Sequence, residues 1–341
     1  MKRILFYLIA FILICFIIPV MLTKRTTLTI AQDNDNSSVQ ENIEKSANSE
    51  ELQNYVYNKY GTITLLHGKT GEVEQVNIDE YLCNVVSAEM PADYEKEALK
   101  AQVIVARTYT IYKILNKKHN NADICDNSTC CQAWISKDDR LARWEETKRE
   151  SNWQKICEVV NSTKGKIITY ENQPINAFFH SNSGGITEVP VNVWGGTGYP
   201  YLQSVETLGE DSYSQYLSEV VLTKEELLNK LKEKYNDITI DFSNDDDIKI
   251  LEFTESTRVK TVKFGNHEIS GVDARQILGL RSTNFEIIKD GDNIKFSVKG
   301  YGHGVGMSQT GADSMAKQGN SAEEIIKYFY IGIEIKDVNS I

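Results

Sequence analysis

Residues 78–91 read Ile-Asp-Glu-Tyr-Leu-Cys-Asn-Val-Val-Ser-Ala-Glu-Met-Pro, and this stretch predicts a helix that ends at its proline. Its apolar residues fall at the i, i+3 and i+4 positions of one helix face; they are Leu82, Val85 and Val86. Glu89 follows at i+7 and therefore shares the inward face. Burial would raise the pKa of this carboxyl, as a general acid requires near neutral pH. The same position also suits a helix-end glutamate that simply reaches solvent.

The N-terminus predicts a membrane anchor. Residues 4–22 are 19 consecutive uncharged residues that follow Lys2 and Arg3. As a helix they would span roughly 28 Å, close to the hydrocarbon core of a bilayer. A cleaved signal peptide would have a shorter apolar stretch and a small-x-small site after it, which this segment lacks. We therefore expect a short cytoplasmic end (residues 1–3), an uncleaved transmembrane helix (4–22) and a polar linker (23–55).

The remaining residues, 56–341, form the body of the chain, which is long enough for one large domain or two lobes. The whole chain has 37 Lys and Arg residues against 48 Asp and Glu residues, a net charge of −11. No basic stripe is present, which argues against a nucleic-acid groove. The body has five of the six cysteines, and an odd number cannot all pair in disulfides.

Segregated strand and helix patterns predict an α+β fold with mostly antiparallel strands, in one large two-lobed extracytoplasmic domain. Residues 61–76 alternate like a hairpin, and residues 98–115 have the period of a long helix. Arg107 lies one residue from the apolar face of that helix, where it could reach Glu89 or a substrate, or remain solvated. Residues 208–247 are polar and look like an insert.

A glycine-histidine segment, Gly-Tyr-Gly-His-Gly-Val-Gly-Met-Ser-Gln, occupies residues 300–309. It matches neither a dinucleotide-binding nor a phosphate-binding glycine motif, and it is not a nucleophile elbow. Alternate glycines allow another backbone or a ligand to approach closely. His303 within it suits either a substrate-orienting donor or a structural imidazole.

Four segments together resemble the SpoIID/LytB family. They are Val86-Ser-Ala-Glu-Met-Pro, Leu99-Lys-Ala-Gln-Val-Ile-Val-Ala-Arg-Thr-Tyr, Phe179-His-Ser-Asn-Ser-Gly-Gly and Gly302-His-Gly-Val-Gly-Met-Ser-Gln. Each segment is short, and their shared order within residues 56–335 carries the resemblance. The cysteine loop makes the chain look closer to clostridial members than to those of bacilli.

The resemblance implies a membrane-anchored lytic transglycosylase that cuts the MurNAc–GlcNAc bonds of peptide-stripped peptidoglycan strands, leaving 1,6-anhydro-MurNAc ends. It implies action during forespore engulfment in sporulation, between the mother-cell and forespore membranes, alongside a SpoIIP-like amidase and a SpoIIM-like membrane protein. The family's catalytic glutamate corresponds to Glu89. A hydrolase needs two carboxylates, whereas a transglycosylase needs one group that donates and then reclaims a proton. The rival interpretation is an amidase enhancer of the same family, which binds wall glycan or an amidase and catalyses nothing.

The same carry-over predicts two sets of groove residues. Those that could hydrogen-bond sugar groups are Arg107, His180, Ser181, Ser183, His303 and Gln309. Those that could stack on sugar faces are Tyr109, Trp194 and Tyr199.

A polar loop crowds three thiols and an imidazole together; they are His119, Cys125, Cys130 and Cys131. Three thiolates and one imidazole form a natural tetrahedral zinc site, although the spacing is not the paired C-x2-C form. The alternative is one disulfide from Cys125 to Cys130 or Cys131, with a spare thiol. Clostridial relatives are expected to hold a structural zinc here, often with a histidine where this chain has Cys130. A single-acid mechanism needs no metal for catalysis.

Overall fold

The helix predicted at residues 78–91 is present as α1 (Ile78–Glu89). Asn77 caps its N-terminus, and the side-chain oxygen accepts hydrogen bonds from two backbone N–H groups of the first turn, at 2.9 and 3.3 Å. The helix ends because Pro91 disfavours helical geometry in the residue before it, and Met90 is extended (φ −126°, ψ 144°). The predicted apolar face is fully buried.

The computed structural model describes Leu52 and residues 54–341. The predicted cytoplasmic end, the transmembrane helix and most of the polar linker therefore lie outside the described residues. Within the part that is described, no helix is both long and apolar enough to cross a membrane. Val56–Ile341 forms one compact unit.

Helix α2 (Lys96–Leu115) lies at the centre of the larger core. Every residue from 98 to 111 except Lys100 is buried, as expected of a helix surrounded by protein on all sides. The other helices of the described chain are α3 (Lys137–Arg143), α4 (Arg149–Asn161), α5 (Pro190–Trp194), α6 (Lys224–Lys232), α7 (Gly271–Leu278), α8 (Gln309–Lys317) and α9 (Ala322–Phe329). Helices α1, α4, α8 and α9 all pack against α2.

The strands in the described residues are short and mostly antiparallel. They are β1 (Thr62–Leu66), β2 (Val73–Asn77), β3 (Ile124–Cys125), β4 (Lys166–Tyr170), β5 (Gln173–Pro174), β6 (Phe179–His180), β7 (Leu217–Thr223), β8 (Ile248–Phe253), β9 (Val259–Phe264), β10 (His267–Ser270), β11 (Asn284–Asp290), β12 (Asn293–Lys299), β13 (Met307–Ser308) and β14 (Glu334–Asp337). They form sheets in the orders β2-β1-β3, β14-β4-β5, β10-β9-β8, β11-β12-β7 and β13-β6. Only the β1–β3 and β6–β13 pairs among them are parallel. The α+β prediction is confirmed.

Residues 217–299 have a hydrophobic core of their own, which forms a second lobe. Strands β7 to β12 and helices α6 and α7 build it, and Phe264, Phe285 and Phe296 are buried within it. The predicted insert, residues 208–247, supplies β7 and α6. Strand β7 pairs with β12 along its whole length, so this part of the segment is built into the lobe. Its status as an insertion stays a prediction.

A buried arginine joins this lobe to the glycine-rich loops. Arg258 precedes β9, is 1% exposed, and donates from Nη2 to the carbonyl oxygens of Ser183 (2.6 Å) and Ile186 (3.4 Å). Its guanidinium lies directly against Gly304, where any Cβ would collide with it. Gly304 has φ +83°, so both its conformation and its surroundings require glycine.

Candidate active site

The four sequence segments converge on one region. Strand β6 starts the Phe179 segment and β13 lies in the glycine-histidine segment; the two pair in parallel, with Phe179 opposite Met307 and His180 opposite Ser308. Helix α8 begins immediately after β13 and packs on α2. The glycines allow this approach, since a Cβ at Gly306 would collide with the carbonyl oxygen of Phe178.

Glu89 ends α1 with its side chain half-buried. One carboxylate oxygen accepts a hydrogen bond from the backbone N–H of Ala133 at 2.6 Å. Burial raises the pKa of Glu89 to about 7, although hydrogen bonds from Ala133 and the Gln309 side chain favour the charged form. The carboxyl can therefore hold or release a proton near neutral pH, and a fully solvated helix-end glutamate does not fit this environment.

Glu89 has a glutamine partner, which in turn lies against a second glutamine. Gln309, the first residue of α8, bonds to the Glu89 carboxylate and lies 3.5 Å (Nε2 to Oε1) from Gln102 of α2. Both side chains are almost fully buried. Gln102 was not predicted from the sequence. The signal that could have found it is a polar residue within a helix that is buried on all sides.

The loop before Ala133 is fixed to the same helices. Gln132 donates from Nε2 to the hydroxyl oxygens of Tyr81 on α1 (2.8 Å) and Thr110 on α2 (3.0 Å). These bonds set the position of the next residue, whose N–H meets Glu89. Sequence patterns do not reveal a backbone donor of this kind, because it comes from a loop 44 residues away.

The predicted metal ligands lie together at the start of this loop. The candidate ligand atoms of His119, Cys125, Cys130 and Cys131 all lie within 4.8 Å of one another. His119 Nε2 is 3.5 Å from the Cys131 sulfur and 3.7 Å from the Cys130 sulfur, and these two sulfurs are 3.9 Å apart.

These separations fit a tetrahedral zinc site. Zinc–sulfur bonds of about 2.3 Å place the sulfurs of a tetrahedron roughly 3.8 Å apart. A disulfide would need a sulfur separation of about 2.05 Å, and none of these cysteines is bonded in that way. The donor set and its geometry therefore suit zinc.

Two histidines lie at the junction of β6 and β13. The His180 ring is buried, 4% exposed, and Nδ1 donates to the carbonyl oxygen of Val305 at 3.1 Å. Burial lowers its pKa to about 3, so the ring is neutral. His180 supports the loop from inside through this bond, and its role as a groove residue stays a prediction.

His303 is half-buried and keeps contact with the outer aromatic residues. Its Nδ1 accepts from the backbone N–H of Val305 at 3.0 Å, which leaves Nε2 protonated in the neutral ring. Burial holds its pKa well below the usual range. The ring is therefore neutral with a fixed tautomer, and the backbone of Phe179 also hydrogen-bonds it.

Aromatic side chains surround His303. The Trp194 ring lies 5.1 Å from the His303 ring and 4.5 Å from that of Phe178, and Trp194 is 51% exposed. Tyr199 packs near the same phenylalanine, at 6.2 Å. Tyr109 is buried, with its ring 6.3 Å from that of Phe178, and its role in stacking on a sugar stays a prediction.

Arg107 has a structural role. It is fully buried, and its guanidinium donates to the carbonyl oxygens of Thr163 (2.7 Å) and Val160 (3.4 Å) at the C-terminal end of α4. It also lies 3.5 Å from the Asp79 carboxylate. Both Nη nitrogens of Arg107 therefore have partners inside the protein, and its role as a groove residue stays a prediction.

The two predicted serines differ in environment. Ser181 is half-buried, and its carbonyl oxygen accepts from the backbone N–H of Thr310 at 3.0 Å. Ser183 is fully buried, and both its backbone N–H and its hydroxyl donate to Glu210. Ser183 therefore binds Glu210 inside the protein, and its role as a groove residue stays a prediction.

Sequence reasoning missed Glu210, which links the two glycine-rich segments. It is 1% exposed, and its two oxygens also accept from Gly185 N–H and from the hydroxyls of Thr207, Ser308 and Thr310. A buried carboxylate is stable only when so well hydrogen-bonded.

Comparison with known proteins shows which family the chain belongs to. Residues 66–170 match the family model described as SpoIID, stage II sporulation protein. The chain is 37% identical to stage II sporulation protein D of Bacillus subtilis (strain 168) over 271 residues, which cover 79% of this chain and 77% of that protein. The protein of the same description from Bacillus amyloliquefaciens is 35% identical over 79% of this chain and 76% of its own length. An amidase enhancer of Bacillus subtilis is 29% identical over 74% of this chain but only 39% of that protein. Because the identity to the first of these proteins exceeds 30% over most of both sequences, the chain belongs to the SpoIID family of sporulation proteins.

Proposed function

We propose that this protein is a lytic transglycosylase that cleaves the MurNAc–GlcNAc bonds of peptide-stripped peptidoglycan strands. The observation that carries the proposal is Glu89, a half-buried carboxyl whose pKa of about 7 lets it act as acid and base at neutral pH.

The proposed reaction uses this one carboxyl twice. Protonated Glu89 donates to the glycosidic oxygen as the bond from that oxygen to the MurNAc C1 breaks. The Ala133 N–H and Gln309 stabilise the resulting carboxylate. The carboxylate then removes the proton of the same sugar's 6-hydroxyl as that oxygen bonds to C1. The product is a 1,6-anhydro end, no water is consumed, and Glu89 recovers its proton.

We infer the residues that line the groove from the exposure of their side chains. Trp194 and Tyr199 can stack on sugar faces, and His303 and Ser181 are placed to hydrogen-bond acetamido or hydroxyl groups. Gln309 acts through its bond to Glu89.

We assign zinc to the cluster of His119, Cys125, Cys130 and Cys131, with a structural role. A zinc ion supplies a rigid tetrahedral cross-link to a loop. Here that loop leads within two residues of Cys131 to the Ala133 N–H that meets Glu89. No step of the proposed reaction uses the metal.

The setting of the reaction is part of the same proposal. The uncharged stretch at residues 4–22 would anchor the chain in a membrane, with the enzyme body in the space between the mother-cell and forespore membranes. There it would act during engulfment, after a SpoIIP-like amidase has stripped the stem peptides and together with a SpoIIM-like membrane protein. Membership of a sporulation family supports this setting, and the clostridial placement remains a prediction from the cysteine loop.

The test is digestion of peptide-stripped and intact sacculi side by side, with mass spectrometry of the released ends. Glu89→Gln should lower release of anhydro ends by at least about a thousandfold, because general acid–base catalysis by one group is worth 10²–10⁴-fold at each step. Its binding to glycan should persist. The matched control is Glu95→Gln, which changes an exposed carboxylate just beyond Pro91 and should keep full activity. Unchanged release by Glu89→Gln would refute the proposal.

A second candidate is an amidase enhancer, which the 29% identity to such a protein favours. An enhancer would bind glycan and stimulate an amidase, yet release nothing from peptide-stripped strands. The same digestion decides between the two.

A further inference from the structure

Two cysteines remain once the metal cluster has taken three of the five in the described residues. Cys83 lies on α1 and Cys157 on α4, two helices that pack together. Their sulfur atoms are 3.5 Å apart, although the residues are 74 positions apart in the sequence. The odd number of cysteines in the body is thereby explained as three in the cluster plus one facing pair.

We propose that Cys83 and Cys157 form a disulfide that ties the catalytic helix α1 to α4. Closing the bond requires the sulfur–sulfur distance to fall from 3.5 Å to about 2.05 Å. Rotation of the two side chains can supply this shift, because the helices are already in contact. The proposal does not depend on the reaction assigned to Glu89.

The two thiols differ in a way that sets the order of attack. Cys157 is half-buried, whereas Cys83 is buried and donates its thiol hydrogen to the Cys157 sulfur. This hydrogen bond, helped by the charge of Lys137, lowers the pKa of Cys157 to about 7 and raises the pKa of Cys83. A thiolate is the attacking species, so Cys157 reacts first.

The oxidant is a disulfide, either a small molecule or the oxidised form of a thiol–disulfide oxidoreductase. The Cys157 thiolate attacks one of its sulfurs, a mixed disulfide forms, and one thiol of the oxidant leaves. The Cys83 sulfur, having lost its proton, then attacks the Cys157 sulfur, and the second thiol leaves. The protein loses two protons and two electrons, and the oxidant takes them up to become two thiols.

The bond would close a covalent ring around the site. Residues 83–157 include Glu89, Gln102, Ala133 and the whole metal cluster. Cross-linking a loop this long restricts the unfolded chain strongly, so the effect on stability should be large.

A tryptic map under non-reducing conditions tests the bond directly. The full chain is equilibrated with oxidised and reduced glutathione in the presence of zinc, and free thiols are then alkylated. Cleavage after lysine separates the cysteines into residues 70–96 (Cys83), 156–164 (Cys157) and 119–137 (the cluster). We expect peptides 70–96 and 156–164 joined and two hydrogens lighter than their sum. Both peptides recovered as alkylated free thiols, or either joined to 119–137, would overturn the proposal.

Thermal unfolding provides the second readout. A phosphine reductant should lower the Tm of the wild-type chain by roughly 5–10 °C. Cys83→Ser, Cys157→Ser and the double variant should unfold near the reduced wild type and should not respond to the reductant. A double variant that responds as strongly as wild type would place the reducible bond in the cluster and contradict the proposal.

Discussion

At the scale of single residues, Glu89 is held between two opposing effects. Burial disfavours its charged form, while two hydrogen bonds favour it. The effect of burial is the larger, and the pKa of Glu89 therefore rises from 4.5 to about 7. The position of Glu89 on the inward face was predictable from helix spacing. Its partner Ala133 was not, because a backbone donor in a loop leaves no sequence pattern. Nor was Gln102, which lies against Gln309 inside a helix with no polar face.

This raised pKa predicts a stability cost that depends on pH. Below about pH 4.5 the carboxyl is protonated in both folded and unfolded chains, so it costs nothing. As the pH rises toward 7, the unfolded chain ionises first and the folded state loses stability, by about 3 kcal/mol at most. Glu89→Gln should therefore be more stable than wild type at pH 8, by about 1–3 kcal/mol, and by much less at pH 5.

Urea unfolding of both proteins at the two pH values measures this difference. Glu95→Gln, which alters an exposed carboxylate, should show no such pH-dependent gain. An equal effect of Glu89→Gln at pH 5 and pH 8 would mean that the pKa of Glu89 is not raised.

At the scale of elements, the glycine-rich segments are held in place by a buried acid. The pairing of β6 with β13 was not predictable, because two-residue strands leave no alternation to detect. Sequence reasoning anticipated that alternate glycines admit a close backbone, and the contact of Gly306 with Phe178 confirms it. Of the two serines predicted for the groove, Ser183 binds Glu210 instead, and burial by distant residues of this kind leaves no local sequence pattern.

Replacing Glu210 should loosen these segments together. Glu210→Ala leaves several buried donors without an acceptor, and we expect a loss of at least about 3 kcal/mol of unfolding free energy. Glu206→Gln, an exposed change four residues earlier, should stay within about 0.5 kcal/mol of wild type. Thermal or urea unfolding compares the two, and a Glu210→Ala variant as stable as the control would show that the buried carboxylate is dispensable.

The metal loop predicts a link between zinc and the catalytic acid. Chelation of zinc, or Cys131→Ser, should lower both the Tm and kcat, the latter by roughly tenfold or more, because the loop no longer fixes the Ala133 N–H against Glu89. Purified wild-type protein should contain one zinc per chain by elemental analysis, and Cys157→Ser should retain it. Wild-type protein purified under reducing conditions with far less than one zinc would contradict the assignment.

At the scale of the whole molecule, the α+β class and the long central helix followed from periodicity, because amphipathic spacing survives in any tertiary context. The second lobe was only partly recognised. Its strands β7 and β12 lie far apart in the sequence, and their pairing shows only in three dimensions. The burial of Arg258 at the junction of the lobe with the glycine-rich loops has no sequence signature either, because a charged residue predicts exposure by default.

The central claim is that one carboxyl closes a sugar on itself without water, and digestion of peptide-stripped glycan in heavy-oxygen water tests it most directly. Mass spectrometry of the new ends should show products lighter by one water than hydrolysis products and free of label, with none formed by Glu89→Gln. Ends that carry one heavy oxygen would show that solvent water attacks the sugar, and the enzyme would then be a hydrolase.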